Sequence, residues 1–260
     1  MKSTEHHRPL FRFCTYSLFR RRSCWLLLLG AMLFVWGAPY FTPWDEQPQI
    51  LQPARAQAAW MYVWMSAFTW FPFQAAILGR RLRTHGVLEF LRARGVRAGS
   101  MYAQIGAALA VWFGAVVLFA GGMCLSFCQP RLASEAQQWT LLVAQCSVLA
   151  VVAFLPLLWL GIALGTRLDE VLAFLIPVSL LFLGLFAAPW IAPLLVGSDA
   201  PLFRLAWLLS PHTHLADLTA RLVFKMGPLA GSDFIDSLTC LTLQGVAITL
   251  TGRCLIRTSS

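Results

Sequence analysis

The sequence predicts an all-α integral membrane protein with six transmembrane helices, and three observations lead there. Of its 260 residues, 58% are hydrophobic and only 12% charged, with a mean hydropathy of +0.68. A soluble domain of this size has too little interior to hide that much apolar surface. A helix needs roughly 20 apolar residues to cross a hydrocarbon layer about 30 Å thick, and windows of that kind recur six times. Their central parts contain no Asp, Glu, Lys, Arg or His. The whole chain, 1–260, then reads as a single transmembrane domain.

Segment 1–23 is a basic tail with Lys2, Arg8, Arg12, Arg20, Arg21 and Arg22, and the first span follows at Cys24 to Phe41. The start imitates a secretion signal. The small-residue site Ala54-Arg55-Ala56 lies too far beyond Gly37, however, and five more spans follow, so an uncleaved first span is expected. A tight turn at Thr42 to Pro48 leads to the second span, Ala58 to Leu78. The loop 79–100 comes next, then the third span, Met101 to Leu125, a turn at Gln129-Pro130-Arg131, and the fourth span, Thr140 to Gly165.

Asp169-Glu170 reads as a solvated helix start ahead of the fifth span, Val171 to Val196. The segment 197–232 precedes the sixth span, Phe234 to Cys254. Trp25, Trp36, Trp44, Trp60, Trp139 and Trp190 fall near span ends, where an amphipathic ring anchors best.

Six spans place both termini on one side. That side would carry fifteen Lys and Arg residues and the other five: Arg55, Arg131, Arg204, Arg221 and Lys225. Because basic residues near span ends stay in the cytosol, the termini and loop 79–100 are expected there, in a cell membrane crossed several times. The net charge of +9 is thus a topology signal, and nucleic acid is not an expected partner. The seven cysteines show no Cys-x-x-Cys and read as small apolar filler.

Gln74, Gln104, Gln145 and Gln244 are the most polar side chains within the spans, and bridging between helices is their expected role. A proton-driven pump needs a titratable group at depth, which the spans lack. Enzymatic signatures such as Gly-x-Ser-x-Gly and His-Glu-x-x-His are missing, so no catalytic residue is expected. A nucleotide-binding P-loop requires Gly-Lys, and the only lysines are Lys2 and Lys225. Any ATP and Mg would have to be bound by another polypeptide.

In the outer segment, two short apolar stretches flank Ser210-Pro211, with Ser210 expected to cap the second helix. A re-entrant or interfacial helix pair and a surface-lying loop both fit. His212, His214 and Asp217 resemble a metal-ligand set in type, but residues two apart on a helix point to different sides, so no metal is expected.

In loop 79–100, Val87, Leu88 and Leu91 share one helical face, Phe90 flanks it, and Glu89 and Arg92 lie opposite. Contact with anionic lipid and contact with a protein both suit such a basic amphipath. Glu89, set among arginines, argues for protein.

Here a resemblance enters. The run Gly86-Val87-Leu88-Glu89-Phe90-Leu91-Arg92-Ala93-Arg94-Gly95-Val96 resembles the Gly-x-Leu-Glu-x-Leu stretch after the second span of type-2 permeases of ATP-binding-cassette exporters. Ser210-Pro211 is similar to that family's Asn/Ser-Pro element, and the six-span order agrees. One departure is Arg94-Gly95, where the family often has Thr-Pro or Ser-Pro.

The resemblance implies a coupling helix docking on a separate ATP-binding-cassette ATPase subunit, with Gly86, Leu88, Glu89 and Leu91 as its contacts. It also implies an outer hairpin marked by Ser210 and Pro211, in which His214 and Asp217 are the polar residues sharing a helix face, and a second permease copy or paralogue forming a dimer around the export path. The small-residue runs Gly106-Ala107-Ala108, Gly114-Ala115 and Gly121-Gly122 would allow helices to approach closely. The alternative is a non-transporting membrane scaffold or assembly factor whose basic loop binds membrane lipids or a soluble partner.

Overall fold

The computed structural model describes residues 9–41, 48–130, 132–187, 190–191, 193, 201–224 and 226–256. Among the described residues, all regular structure is helical. In chain order the helices are α1 (Pro9–Phe19), α2 (Arg22–Phe41), α3 (Pro48–Phe68), α4 (Trp70–Thr84), α5 (Val87–Ala93) and α6 (Ala98–Phe127). Then come α7 (Ala133–Gly165), α8 (Glu170–Phe186), α9 (Pro201–Leu209), a 3-10 turn (Thr213–Ala216), α10 (Thr219–Val223) and α11 (Gly231–Leu255). Three of them, α6, α7 and α11, are long and apolar enough to cross a membrane, and α2 and α8 contain shorter apolar runs.

The element boundaries depart from the sequence expectation in four places. The tail 1–23 contains a helix: α1 buries Leu10, Cys14 and Leu18 in the core and leaves Phe13, Tyr16 and Phe19 exposed. The expected second span is split between α3 and α4 at Thr69, whose backbone sits at φ −114, ψ −74. Pro72 explains the break, because it has no N–H to offer the carbonyl of Phe68. Helix α7 starts at Ala133, ahead of Thr140, and α8 ends at Phe186. The turn 42–47 and most of 188–200 fall outside the described residues.

Helix α7 is the axis on which α4, α6, α8 and α11 pack. Its fully buried side chains include Leu142, Leu149, Leu158 and Ile162. The crossing with α4 is close: a Cβ on Gly79 would land on the Ile162 carbonyl and one on Gly165 on the Ala76 carbonyl. Main chain meets main chain at that crossing, which is how apolar helices gain contact without water to drive them together.

Gly106 lies under the Trp159 ring, and Gly252 under the Tyr102 hydroxyl. Of the other two runs, Gly121 approaches Ser147 and Val143 of α7, where a Cβ would lie 3.3 Å from the Ser147 hydroxyl, whereas Gly114 and Gly122 face open space. The outside is apolar: Leu118 is 73% exposed and Leu243 68%. Hydrocarbon around the bundle would leave such side chains at no cost, whereas water would not.

Candidate functional site

The α5 loop owes its shape to two glycines. Gly86 takes φ +65 between α4 and α5, and Gly95 takes φ +81 just after α5. Side chains avoid that left-handed region, so both turns call for glycine. At the far end Gly95 N–H donates to the Arg92 carbonyl (2.8 Å) and Val96 N–H to the Leu91 carbonyl (3.0 Å). That is a Schellman closure, and its accompanying apolar contact is present because Leu91 and Val96 both pack on the core. Gly86 therefore acts here through its backbone.

Helix α5 is fastened by its apolar side. Leu88 is 1% exposed and sits in the core, and Val87 and Leu91 are half-buried against it. Glu89, Phe90 and Arg92 are exposed, so the faces fall as the periodicity predicts. The Arg94 guanidinium lies 4.5 Å from the centre of the Phe90 ring, presenting an aromatic backed by a cation.

Neighbouring arginines tie helix ends together around this loop. Arg83 Nη1 donates to the Thr166 carbonyl (3.0 Å), Arg80 pairs with Glu170 (3.7 Å), and Arg167 Nε donates to the Leu255 carbonyl. Asp169 caps α8, accepting from Leu172 N–H at 2.8 Å.

At the far end of α8 and in α11 the segment between them, described over 201–224 and 226–230, is held by a different set. Ser210 does not cap the second helix: its Oγ donates to the Trp207 carbonyl (2.9 Å) and so closes α9. After Pro211 come a 3-10 turn and then α10, too short and irregular for one capped helix. Gln244 of α11 supports this break. Its Oε1 accepts from His212 N–H (2.8 Å), while its Nε2 donates to the Ser210 carbonyl (3.2 Å) and to His212 Nδ1.

Pro211 passes so close to Gly184 that a Cβ there would strike its carbonyl. Asp217 Oδ1 accepts from Thr219 N–H at 3.1 Å, a local cap for α10. Among the described residues no three His, Cys, Asp or Glu side chains converge to hold a metal.

The other three glutamines do similar work. Gln74 accepts from Arg21, Gln104 from Phe11 N–H (3.5 Å), and Gln145 both accepts from Leu229 N–H (2.8 Å) and donates to its carbonyl (3.1 Å). Each amide fastens a segment outside the long helices, which extends the expected helix-to-helix bridging.

His214 stacks near Trp207 and, through Nδ1, contacts the Gly184 carbonyl at 3.2 Å. Burial pushes its pKa below the ordinary 6.5; the Gly184 bond opposes that and nearby His212 adds to it. The folded segment around the 3-10 turn thus prefers neutral His214. Its advantage is complete above pH 6.5 and is lost as pH falls from there through the depressed folded value. Protection factors of amides 212–218 against hydrogen exchange should therefore fall between pH 7.5 and 5.5, and His214→Asn should flatten that change.

Sequence reasoning missed α1 and the Gly79, Gly165 and Gly184 approaches. The Leu10-Cys14-Leu18 spacing was a readable signal for the first; the glycines carried none, since each depends on a distant partner. Compared with known proteins, the chain matches no family model and no curated protein.

Proposed function

We propose that the chain is the membrane subunit of an ATP-driven exporter, with α5 as its coupling helix. The observation that carries this reading is the build of α5: a seven-residue helix bracketed by left-handed glycines, seated through Leu88, with Glu89, Phe90 and Arg92 turned outward. A lever must be seated at its root and reach the surface at its tip, and Leu88 is buried while Glu89, Phe90 and Arg92 are exposed. Gly86, Leu88 and Leu91 set the lever's position; Glu89 and Phe90 meet the partner.

In this reading α2, α3 with α4, α6, α7, α8 and α11 make six crossings of the cell membrane, with both termini and α5 in the cytosol. Two such subunits enclose the path. ATP and Mg are held by a separate ATPase subunit, whose closure favours one arrangement of the helices through differential contact with α5.

The test is co-purification from the native membrane followed by ATPase assay in lipid. The chain alone is expected to show no ATP hydrolysis, and the complex to show it. Glu89→Lys should lower ATPase stimulation by about tenfold or more, the usual loss when a charged contact is reversed, with membrane insertion unchanged. Recovery of no nucleotide-binding protein overturns the reading. The scaffold alternative is favoured by the exposed Phe90 with its stacked Arg94, a pair equally suited to an anionic lipid interface. There Glu89→Lys would leave function unchanged or strengthen it.

A further inference from the structure

At the end of the bundle opposite α5, a cavity of about 200 Å3 opens between the start of α7 and the segment around Gly227. Glu135, Gln138, Trp139 and Leu142 line it at positions i, i+3, i+4 and i+7, so one stripe of α7 makes one whole wall. We propose that this cavity binds a small organic ammonium ion.

The Trp139 and Gly227 sides are fixed before any ligand arrives, whereas Glu135 and Gln138 are exposed. Trp139 Nε1 donates to the Cys124 carbonyl (3.2 Å), which sets the indole. Across from it Gly227 takes φ +74, and Arg221 Nη1 donates to the carbonyls of Gly227 and Pro228, both at 3.3 Å. Gln145 grips Leu229 from both sides of its peptide group. Preformed walls of this kind spare a ligand the cost of ordering them.

The chemistry of the lining selects for a cation. Among the described residues Glu135 is the sole charged side chain in the lining, and no described cation pairs with it. Gln138 turns Oε1 toward Gly227, where a Cβ would lie 3.6 Å away, so two acceptors face one space beside an indole. The helix start contributes about half a positive charge, and Arg221 sits behind the opposite wall with its guanidinium bonded to the Gly227 and Pro228 carbonyls, so the Glu135 carboxylate is the charged group that lines the cavity itself. An ammonium group placed there has a carboxylate and an amide oxygen to donate to, with the buried Trp139 as the apolar floor of the same space. The volume suits a headgroup-sized ion; pockets for drug-sized ligands begin at about 300 Å3. The same ammonium chemistry belongs to free choline and to a lipid headgroup.

The inference stands apart from the exporter reading, since it concerns the other end of the molecule. Binding of radiolabelled choline to the purified chain in polyoxyethylene ether micelles tests it, with dihexanoylphosphatidylcholine and glucose as competitors. Saturable binding is expected, weakened about tenfold or more in Glu135→Gln by loss of the charge-assisted contact and unchanged in Glu170→Gln. Displacement by unlabelled choline and not by the lipid assigns a soluble amine; displacement by the lipid at lower concentration than by choline assigns a headgroup. Absence of saturable choline binding, equal binding by Glu135→Gln, or displacement by glucose overturns the proposal.

Discussion

Gly165→Val is expected to destabilise the bundle by about 3 kcal/mol or more, at the upper end of what overpacking costs. Its new side chain would have to occupy the place of the Ala76 carbonyl, and main chain cannot swing aside as a lysine tip does. Relief would require α4 and α7 to separate, which also unseats Gly79 from Ile162 and loosens Leu78 and Leu82 in the core. Gly79→Val should behave alike. Gly122→Val is the control: open space surrounds that position, and its effect should stay within about 0.5 kcal/mol. Thermal unfolding in micelles, followed by the loss of the monodisperse species, measures all three. Equal midpoints for Gly165→Val and Gly122→Val would mean that the two helices do not approach as described.

Gln244→Leu should cost about 2–3 kcal/mol and act on one region alone. The substitution keeps the volume but leaves His212 N–H and the Ser210 carbonyl without their partner, and a buried orphan costs about 1–3 kcal/mol. His212 is buried, so water replaces the amide poorly. Protease sensitivity of segment 201–230 should rise while the α4–α7 contact stays intact. A nearby exposed change, Thr242→Val, removes only a hydroxyl bonded to its own helix at the Leu238 carbonyl and should be near neutral. Unchanged cleavage in Gln244→Leu would remove the amide from the account of the hairpin.

The long helices were legible because membrane crossing imposes length and apolarity together, as in α6 and α7, where composition alone suffices. The α5 faces were legible for a similar reason: a period of 3.6 sorts Leu88 from Glu89 without any knowledge of neighbours. Legibility failed where a residue's role depends on something far along the chain. Ser210 before a proline reads as a cap for the next helix, yet its hydroxyl turns back to Trp207 because Gln244, 34 residues on, already serves the other side. The break at Thr69 was hidden in an unbroken apolar run, and only Pro72 marked it. Segment 1–23 shows the opposite error, since its arginines drew the eye from Leu10, Cys14 and Leu18.

The four span glutamines have a consequence for how this protein can diverge. Gln104, Gln145 and Gln244 grip mainly main-chain atoms: Phe11 N–H, both polar atoms of Leu229, His212 N–H and the Ser210 carbonyl. Every residue but proline presents the same N–H and C=O, so these attachments are indifferent to the side chains they hold. Substitutions at such held positions that preserve the backbone path leave the fastening whole, whereas a single change at one of the glutamines undoes it. Sequence drift should therefore concentrate in the gripped segments and spare the grips.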